Sequence, residues 1–474
     1  MNAAHRRIAV ACVLGGLVLV VLDAAVVNVA LPAIADAHAT TPASAVRVVT
    51  AYQMALVMAL LPCAALGEAR GPRRVYAGGV ALFLIAAAVG ATARSLSVLI
   101  AARFAQGLGG AAVMSLGVAL LRQVVPPARL GAAIGWNALA VALGSASGPT
   151  VGALLLTRWS WRAVFVVGLP LGSLVLLATR ALPREAGHGR PVDGVSIALH
   201  GATFAAAVTG AALLSARLSV AIALLGSAAV LGGALVRREL PRAAPLVPLD
   251  LLRDRSFRAS VSASVCVFVA QSAAMVALPF ELRERLDVPA LRTGLLITPW
   301  PVAVALVAPL AGRLADRVSG AWLCALGAGL LAAGLTGVAR ATDGGALLPF
   351  VALSGVGFGL FQVPNNRSLL LAASPGRSGA AGGMQATARL TGQVLGALVM
   401  TALFARTSRE RAPHLGLLIA AALALLGGLV SAWRAPGRAD LAPGRLPAPR
   451  GSVEPEEIPK ASHGVELDAA RDLP

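Results

Sequence analysis

The amino-acid sequence predicts an all-α integral membrane protein with about fourteen transmembrane helices. Of its 474 residues, 57% are hydrophobic and only 13% are charged, and the mean hydropathy is +0.79. A soluble domain carries roughly 25% charged residues, about twice the fraction in this chain. The apolar residues also form long runs separated by short polar loops. So much apolar surface cannot be hidden in one water-soluble core, and we expect the chain to fold in lipid.

Each apolar run is long enough to cross the hydrocarbon core of a bilayer, which takes about 20 helical residues. The approximate spans are residues 8–31, 46–66, 75–93, 97–121, 131–156, 162–182, 195–214, 218–236, 257–280, 292–312, 321–339, 346–370, 380–404 and 414–433. The first run follows a basic flank, as in a secretory signal, but it is longer than a signal core and contains Asp23 and Asn28. We therefore expect an uncleaved first helix.

The distribution of arginine predicts the orientation, because basic loops tend to remain in the cytoplasm. Alternate loops hold Arg70, Arg73, Arg74, Arg122, Arg129, Arg180, Arg184, Arg190, Arg237, Arg238, Arg242, Arg253, Arg255, Arg258, Arg313, Arg317 and Arg377. The intervening loops are poorer and hold chiefly Arg283, Arg285, Arg292, Arg406, Arg409 and Arg411. We predict a multi-pass protein of the cytoplasmic membrane with both termini in the cytoplasm. Residues 435–474, which are rich in proline and lack an apolar period, are predicted to form a disordered cytoplasmic tail.

Several other classes of protein are disfavoured by the sequence. The formal net charge of +19 lies in arginine clusters between apolar runs, and aromatic residues make up only 4% of the chain, so nucleic-acid binding is not expected. No nucleotide-binding loop of the GxxxxGK[ST] type occurs, which argues against ATP drive. The four cysteines lie singly in apolar runs and the six histidines are scattered. We therefore expect no metal site, no other cofactor and no enzymatic activity.

Four local patterns occur in order along the first five predicted helices. LDAAVVNVALP (residues 22–32) lies in the first helix, and LGEARGPRR (66–74) lies between the second and third. Arg103, Gln106, Gly107 and Gly110 share the fourth helix, and GSASGPTVGA (144–153) lies in the fifth. Together these patterns resemble the signatures of the major facilitator superfamily, and most closely its fourteen-helix drug:proton antiporter branch. The resemblance covers residues 8–434.

This resemblance implies the major facilitator fold, in which two six-helix bundles are related as parallel repeats. The loop pattern recurs as GRLADRVSG (312–320), but after the tenth predicted helix rather than the eighth. Two accessory helices between the bundles explain the offset. We predict an N-terminal bundle at 1–190, two accessory helices at 191–240 and a C-terminal bundle at 241–434.

Asp23 and Arg103 are the candidate proton-coupling residues. Asp23 lies roughly 22 Å along its predicted helix at 1.5 Å per residue, deep in the membrane. A carboxylate there is costly unless it is paired, hydrated or protonated, so a change of partner can load or unload a proton. Arg103 is its natural partner. The alternatives are an aspartate that only holds the first helix in register and a permanent structural ion pair.

The fifth-helix pattern places Gly144, Gly148 and Gly152 four residues apart, and Pro149 predicts a kink. Such a stripe of small residues permits close approach of another helix. The resemblance implies that this helix controls closure between the bundles and marks exporters. Plain tight packing is the alternative reading, and both can hold together.

The two loop patterns are candidate gating latches, in which an acidic residue pairs near arginines and a helix end when the cytoplasmic side closes. Their residues are Gly67, Glu68, Gly71, Arg73 and Arg74 in the first copy and Gly312, Arg313, Asp316 and Arg317 in the second. The first copy departs from the family pattern, with Glu68 in place of aspartate and Ala69 in place of a basic residue. The alternative is that the charged residues of these loops only determine the membrane topology.

A set of polar residues in apolar helices is predicted to line a central cavity: Asn28, Gln106, Gln362, Asn365, Asn366, Gln385 and Arg389. Gln385, Arg389 and Gln393 are spaced four apart and share one helix face. Arg389 would attract an anionic or zwitterionic substrate or would be neutralised by a protein carboxylate. Hydrogen bonding between helices is the alternative role for the whole set.

The resemblance implies a secondary active transporter that exports small hydrophobic or amphipathic compounds of the drug or antibiotic type in exchange for protons by alternating access. Its partners would be a small-molecule substrate, protons and the lipid bilayer, and it would function as a monomer. Export of a native metabolite, lipid or peptide is the first alternative. A non-transporting membrane sensor is the second.

Overall fold

The computed structural model of the protein describes residues 3–126, 130–184, 192–214, 216–242, 247–372 and 378–434. Within these ranges every regular element is helical. The predicted tail at 435–474 lies outside them, as do Arg129, Arg190 and Arg377 of the orientation argument.

The described helices fall into three successive groups. The first contains α1 (Ala3–Ala37), α2 (Pro42–Arg70), α3 (Pro72–Thr92), α4 (Leu96–Val124), α5 (Leu130–Arg158), α6 (Ala163–Val166) and α7 (Gly168–Ala178). The second contains α8 (Gly194–Leu213) and α9 (Leu218–Glu239). The third contains α10 (Arg255–Phe280), α11 (Ala290–Ile297), α12 (Pro299–Leu314), α13 (Gly320–Arg340), α14 (Leu347–Leu371), α15 (Ser378–Arg406) and α16 (Arg411–Ala432).

Fourteen helical segments of the described chain are long and apolar enough to cross a membrane, which confirms the predicted number. The pair α6–α7 forms one of these spans and the pair α11–α12 forms another. The break between α11 and α12 falls immediately before Pro299, which lacks the N–H that a continuous helix needs. A short π-helical turn, Glu281–Arg285, extends α10.

The first helix is longer than the predicted span of 8–31. The helix α1 continues through Pro32 to Ala37. Ile34 and Ala35 in this last turn are buried against other helices. Burial of these side chains offsets the one backbone hydrogen bond that proline removes.

The same packing arrangement occurs twice, once in the first group and once in the third. In the first group α1 packs on α5, α2 and α3 pack on α4, and α7 packs on α1 and α3. In the third group α10 packs on α15, α12 and α13 pack on α14, and α16 packs on α10 and α13. This repetition is the architecture of two six-helix bundles, and α8 and α9 form the accessory pair between them in sequence.

The accessory pair is attached through α8, which contacts both α2 and α15. The imidazole Nε2 of His200 lies 3.2 Å from the carbonyl oxygen of Val57 on α2. Farther along α8, Val208 packs with Val394 and Leu398 of α15. The helix α8 therefore lies over the line where α2 of one bundle meets α15 of the other.

The two ends of the assembly differ in how the bundles meet. We call the end that carries the α2–α3 and α12–α13 connections the motif face, and the end that carries the α1–α2 and α10–α11 connections the opposite face. At the opposite face Arg283 Nη2 lies 2.6 Å from Asp36 Oδ2, and Arg409 donates to the carbonyl of Thr40. One hydrophobic cluster there joins α1 and α2 to α10, α11 and α13. The region between the two bundles can open to the opposite face only when these contacts separate.

Candidate functional site

Asp23 lies near the middle of α1, on the side that faces the rest of its bundle. Ala37 ends the helix fourteen residues later, which places the carboxylate about 21 Å from the opposite face at 1.5 Å per residue. Only 6% of the residue is exposed. An ionised carboxylate at this depth requires partners, because water cannot solvate it fully.

The partners are Arg103 and Gln106 of α4, and the three side chains form a closed triad. Arg103 Nη1 donates to Asp23 Oδ2 at 2.6 Å and to Gln106 Oε1 at 2.8 Å. Gln106 Nε2 donates to Asp23 Oδ1 at 2.8 Å. Each carboxylate oxygen thus accepts one hydrogen bond, and the charge on Arg103, which is 1% exposed, is balanced. Gln106, predicted to line the cavity, therefore binds Asp23.

Tyr52 of α2 completes the surroundings of the triad and was not identified from the sequence. The Arg103 guanidinium carbon lies 4.1 Å from the centre of the Tyr52 ring, within the range of a cation–π contact. Close approach of α2 and α4 depends on Gly107, where an added Cβ would lie 2.4 Å from the Tyr52 carbonyl oxygen. The spacing of arginine, glutamine and glycine in α4 thus places the polar groups toward α1 and the glycine against α2.

The triad geometry determines what loss of the Asp23 charge would do to Arg103. A neutral carboxyl would lose the charge that balances Arg103, and the arginine Nε already lacks a hydrogen-bond partner within the described chain. Leaving a buried charge uncompensated costs about 3–5 kcal/mol. A proton on Asp23 would therefore favour any conformation that gives Arg103 water or another anion.

The glycines of α5 pack directly against α1 near Asp23. A Cβ added at Gly148 would lie 2.2 Å from Ala25 Cβ, and one at Gly152 would lie 3.1 Å from the Val26 carbonyl oxygen. Gly144 faces Val18 and Val21 of the same helix. The stripe therefore permits close helix approach, as its spacing predicted.

The other side of α5 contacts the third group of helices at Pro149. The Pro149 carbonyl oxygen would lie 2.4 Å from a Cβ at Gly294 of α11. One residue later, the hydroxyls of Thr150 and Thr298 are 2.7 Å apart. The helix α5 thus connects the helix that carries Asp23 to the opposite bundle.

Several of the predicted cavity residues carry buried polar atoms without a hydrogen-bond partner in the described chain. These atoms are Asn28 Oδ1, Asn365 Oδ1, Asn366 Oδ1 and Arg389 Nε. Two further glutamines that the sequence analysis missed, Gln53 of α2 and Gln271 of α10, each have an unpartnered Oε1 among the described residues. Buried polar atoms normally find a partner, so each of these atoms on α1, α2, α10, α14 and α15 is available to water or a ligand.

Asn365 has a different role from its neighbour Asn366. Its Nδ2 donates to Ser264 Oγ at 2.7 Å and to the Ser260 carbonyl oxygen at 3.3 Å, and the residue is fully buried. It therefore ties α14 to α10 inside one bundle. Gln362 and Gln385 are partly buried.

Arg389 lies on the face of α15 between its contacts with the two bundles. Leu390 packs with the hydrophobic cluster of the first bundle, whereas Gly392 contacts Phe268 of α10. Arg389 lies between Leu390 and Gly392 around the circumference of α15, so its side of the helix faces the region between the bundles. Among the described residues no carboxylate forms an ion pair with Arg389, so the predicted neutralisation by a protein acid is not seen in this conformation.

The first loop pattern forms a tight connection at the motif face. Gly71 has φ of 95°, a conformation that favours glycine, and it joins the end of α2 to Pro72 at the start of α3. Gly67 contacts Leu116 of α4, and Arg73 donates to the Leu182 carbonyl oxygen at 3.3 Å. Glu68 and Arg74 are exposed.

The second loop pattern pairs within its own bundle. Asp316 Oδ1 lies 2.8 Å from Arg367 Nη1 at the end of α14, and this partner was not predicted. Arg313 and Arg317 are exposed, and Gly312 is partly buried. The acidic residue of this loop therefore binds an arginine outside the pattern, in the helix that also carries Asn366.

Comparison with known proteins agrees with this arrangement. A family model described as the Major Facilitator Superfamily matches residues 13–237 and 261–464. The chain is 42% identical over 447 residues to the uncharacterized transporter YebQ of Escherichia coli, covering 91% of this chain and 96% of that protein. It is 34% identical over 415 residues to the multidrug resistance protein Stp of Mycobacterium tuberculosis, covering 84% of this chain and 76% of Stp.

Two further proteins are similar at lower identity. The riboflavin transporter RibZ of Clostridioides difficile is 28% identical over 405 residues, covering 83% of this chain and 87% of RibZ. The crystal structure of the human organic anion transporter MFSD10 superposes with a TM-score of 0.62 at 16% identity, covering 91% of this chain and 100% of that one. This last likeness concerns the fold.

Proposed function

Because the chain belongs to the Major Facilitator Superfamily and is a multi-pass membrane transporter, we propose that it exports small hydrophobic or amphipathic compounds in exchange for protons. Its similarity to Stp, whose name is multidrug resistance protein, supports a substrate range of the drug or antibiotic type. The observation that carries proton coupling is the buried triad of Asp23, Arg103 and Gln106 in the middle of the membrane.

In the proposed orientation the motif face is cytoplasmic and the opposite face is external. The abundance of arginine in the motif-face loops supports this assignment. Both termini then lie in the cytoplasm, with bundles at 1–190 and 241–434, accessory helices at 191–240 and a cytoplasmic tail at 435–474. The contacts between Asp36 and Arg283 then close the external side, and the central site addresses the cytoplasm.

In the proposed cycle a proton from outside neutralises Asp23 and releases Arg103. Movement of α1 is passed to α5 through the Gly148 contact and to α11 through the Pro149 contact with Gly294. The bundles rock about the central site, and the loop patterns at the motif face act as gating latches. Return of the proton to the cytoplasm restores the triad and resets the transporter.

The proposed substrate site is formed by Asn28, Gln362, Asn366, Gln385 and Arg389, with Asn365 and Gln106 supporting it from behind. The Arg389 guanidinium, whose Nε has no hydrogen-bond partner among the described residues, provides a positive charge for an anionic or zwitterionic group of the substrate. The apolar helix surfaces between these polar groups suit a hydrophobic body.

The test is Asp23→Asn in purified protein reconstituted into liposomes. Proton-gradient-driven efflux of a fluorescent drug should be lost, while the variant elutes as a monodisperse protein and still exchanges drug across the membrane without a gradient. Asp287→Asn is the matched control, because Asp287 is exposed with φ of 49°, which asparagine tolerates. Undiminished gradient-driven efflux in Asp23→Asn would refute the coupling assignment.

Export of a native metabolite is the second candidate, and the similarity to the riboflavin transporter RibZ favours it. Growth of a susceptible host expressing the protein across a panel of drugs distinguishes the two. A non-transporting sensor predicts ligand binding without flux in the same liposomes.

A further inference from the structure

A buried acid occupies the π-helical turn Glu281–Arg285 that ends α10 at the opposite face. Glu281 is 0% exposed, although charged residues surround it in sequence. Pro279 lies two residues before this turn and cannot donate a backbone hydrogen bond. π-Helical turns inside longer helices occur frequently at functional sites. Glu281 lies near the opposite face, where the two bundles are in contact, whereas Asp23 lies near the middle of α1.

The two carboxylate oxygens of Glu281 have unequal surroundings. Oε1 accepts a hydrogen bond from Arg285 Nε at 2.6 Å and lies 3.9 Å from His414 Nδ1 on α16. Oε2 is buried and has no hydrogen-bond partner within the described residues. The Phe280 and Phe404 rings pack beside this turn with their centroids 4.8 Å apart. A buried carboxylate oxygen without a donor is costly while the group is ionised, and a proton on that oxygen removes the charge that makes the burial most costly.

The partners of Glu281 place its carboxyl group close to solvent. The His414 side chain is 38% exposed and its Nδ1 lies 3.9 Å from Oε1, so the imidazole borders both the carboxyl group and water. Arg285 Nη2 also donates to the Ala341 carbonyl oxygen between α13 and α14. The other charged groups on or next to this turn and on the elements around it include the partly buried Glu284. The exposed ones are Arg283, Asp287, Arg292, Arg340, Asp343, Glu410 and Arg411.

The same turn carries the ion pair that joins the two bundles. Arg283 is two residues after Glu281, and its Nη2 lies 2.6 Å from Asp36 Oδ2 at the end of α1. The position of Arg283 depends on the π-helical geometry, and the Glu281–Arg285 hydrogen bond spans that turn from its first residue to its last. A change at Glu281 is therefore transmitted directly to the contact between the bundles.

We propose that Glu281 is a proton-binding site separate from Asp23, and that its occupancy controls the Asp36–Arg283 ion pair between the bundles. Ionised Glu281 holds Arg285 and keeps the turn in the geometry that presents Arg283 to Asp36. A proton on Oε2 cancels the charge, Arg285 is released, the turn relaxes, and the opposite face can open. The site requires neither the proposed substrate nor proton coupling at Asp23.

The experiment measures the separation of the bundles at the opposite face in nanodiscs. Spin labels replace the exposed residues Ala37 and Thr342 in full-length protein whose four cysteines have been changed to alanine, and pulsed electron resonance gives the distance distribution at pH 8 and pH 5.5. All samples carry Asp23→Asn, so protonation of Asp23 cannot contribute. Acidification should increase the long-distance population about tenfold, the effect of losing one charge-assisted hydrogen bond.

Glu281→Gln should show the long-distance population at both pH values and no further response to acid. A response produced by Asp36 or His414 alone would survive in Glu281→Gln, and that result would overturn the proposal. Arg292→Gln removes an exposed arginine of α11 and should keep the full response. If Glu281→Gln does not yield folded protein, Arg285→Gln supplies the test. Loss of the donor should shift the response to higher pH, and an unchanged response would refute the role of this hydrogen bond.

Discussion

Gly148→Ala tests whether the contact between α1 and α5 sets the geometry of the coupling site. The new methyl carbon would lie 2.2 Å from Ala25 Cβ, far inside van der Waals contact, and Ala25 backbone atoms follow at 3.3 Å. Neither atom is the end of a flexible side chain, so the helices must separate or tilt. Overpacking of this kind costs about 1–3 kcal/mol, and separation of α1 from α5 also displaces Asp23, two residues from Ala25.

The same helix contains the matched control. An added Cβ at Gly135 meets nothing within 4 Å, so Gly135→Ala introduces the same methyl group without a clash. Because alanine favours helix over glycine by about 1 kcal/mol, Gly135→Ala should be neutral or slightly stabilising. The two variants thus separate the effect of packing from the effect of helix propensity.

The assay is thermal unfolding in detergent, followed by the fraction of protein that stays monodisperse, together with proton-driven efflux in liposomes. Gly148→Ala should lower the unfolding temperature and the efflux rate, whereas Gly135→Ala should lower neither. The double variant Ala25→Gly/Gly148→Ala moves the methyl group to the other helix and should recover most of both losses. The proposed role of this contact would be refuted if Gly148→Ala and Gly135→Ala had the same unfolding temperature and efflux rate, or if the double variant recovered neither.

Two further substitutions test other parts of the structure. Arg389→Gln should reduce liposome efflux of an anionic compound more than efflux of a neutral compound of the same size, because it removes a cation that has no carboxylate partner among the described residues. The control Arg340→Gln changes an exposed arginine and should affect efflux of the two compounds equally. At the base of the accessory pair, the hydrogen bond from Arg238 holds the pKa of Asp193 well below its usual range. A lowered pKa means that the ion pair stabilises the fold above the ordinary aspartate pKa of about 4 and that this contribution declines as pH falls below it. The unfolding temperatures of wild type and Asp193→Asn should therefore differ at pH 6 and converge toward pH 3, and a constant difference would contradict the assignment.

The number of spans and the repeated bundles could be predicted from sequence because both follow from local properties. A run of apolar residues fixes a membrane helix whatever its neighbours, and the recurrence of the loop pattern at 312–320 located the accessory pair. The helix α1 runs past the approximate span of 8–31, because burial of Ile34 by distant side chains offsets the hydrogen bond that Pro32 removes.

The site was harder to predict because spacing assigns a residue to a helix face without naming the helix that packs there. Asp23 and Arg103 were recognisable as charges that must be balanced in an apolar setting. Gln106 and Asn365 were not distinguishable from cavity residues, since a polar side chain that binds another helix has the same sequence pattern. Tyr52 gave no signal, because an aromatic residue in an apolar helix is ordinary until a guanidinium lies above it.

The position of α8 over the junction of α2 and α15 has a consequence for compounds that dissolve in the bilayer. On that side of the protein the accessory helix α8, and not the contact between α2 and α15, faces the lipid. On the other flank α5 contacts α11 and α12, and Trp136 and Leu143 of α5 and Leu306 of α12 are exposed apolar side chains. We predict that apolar compounds enter from the lipid along this flank. Bulky residues introduced along α5 and α12 should then slow their capture without affecting molecules that arrive from water.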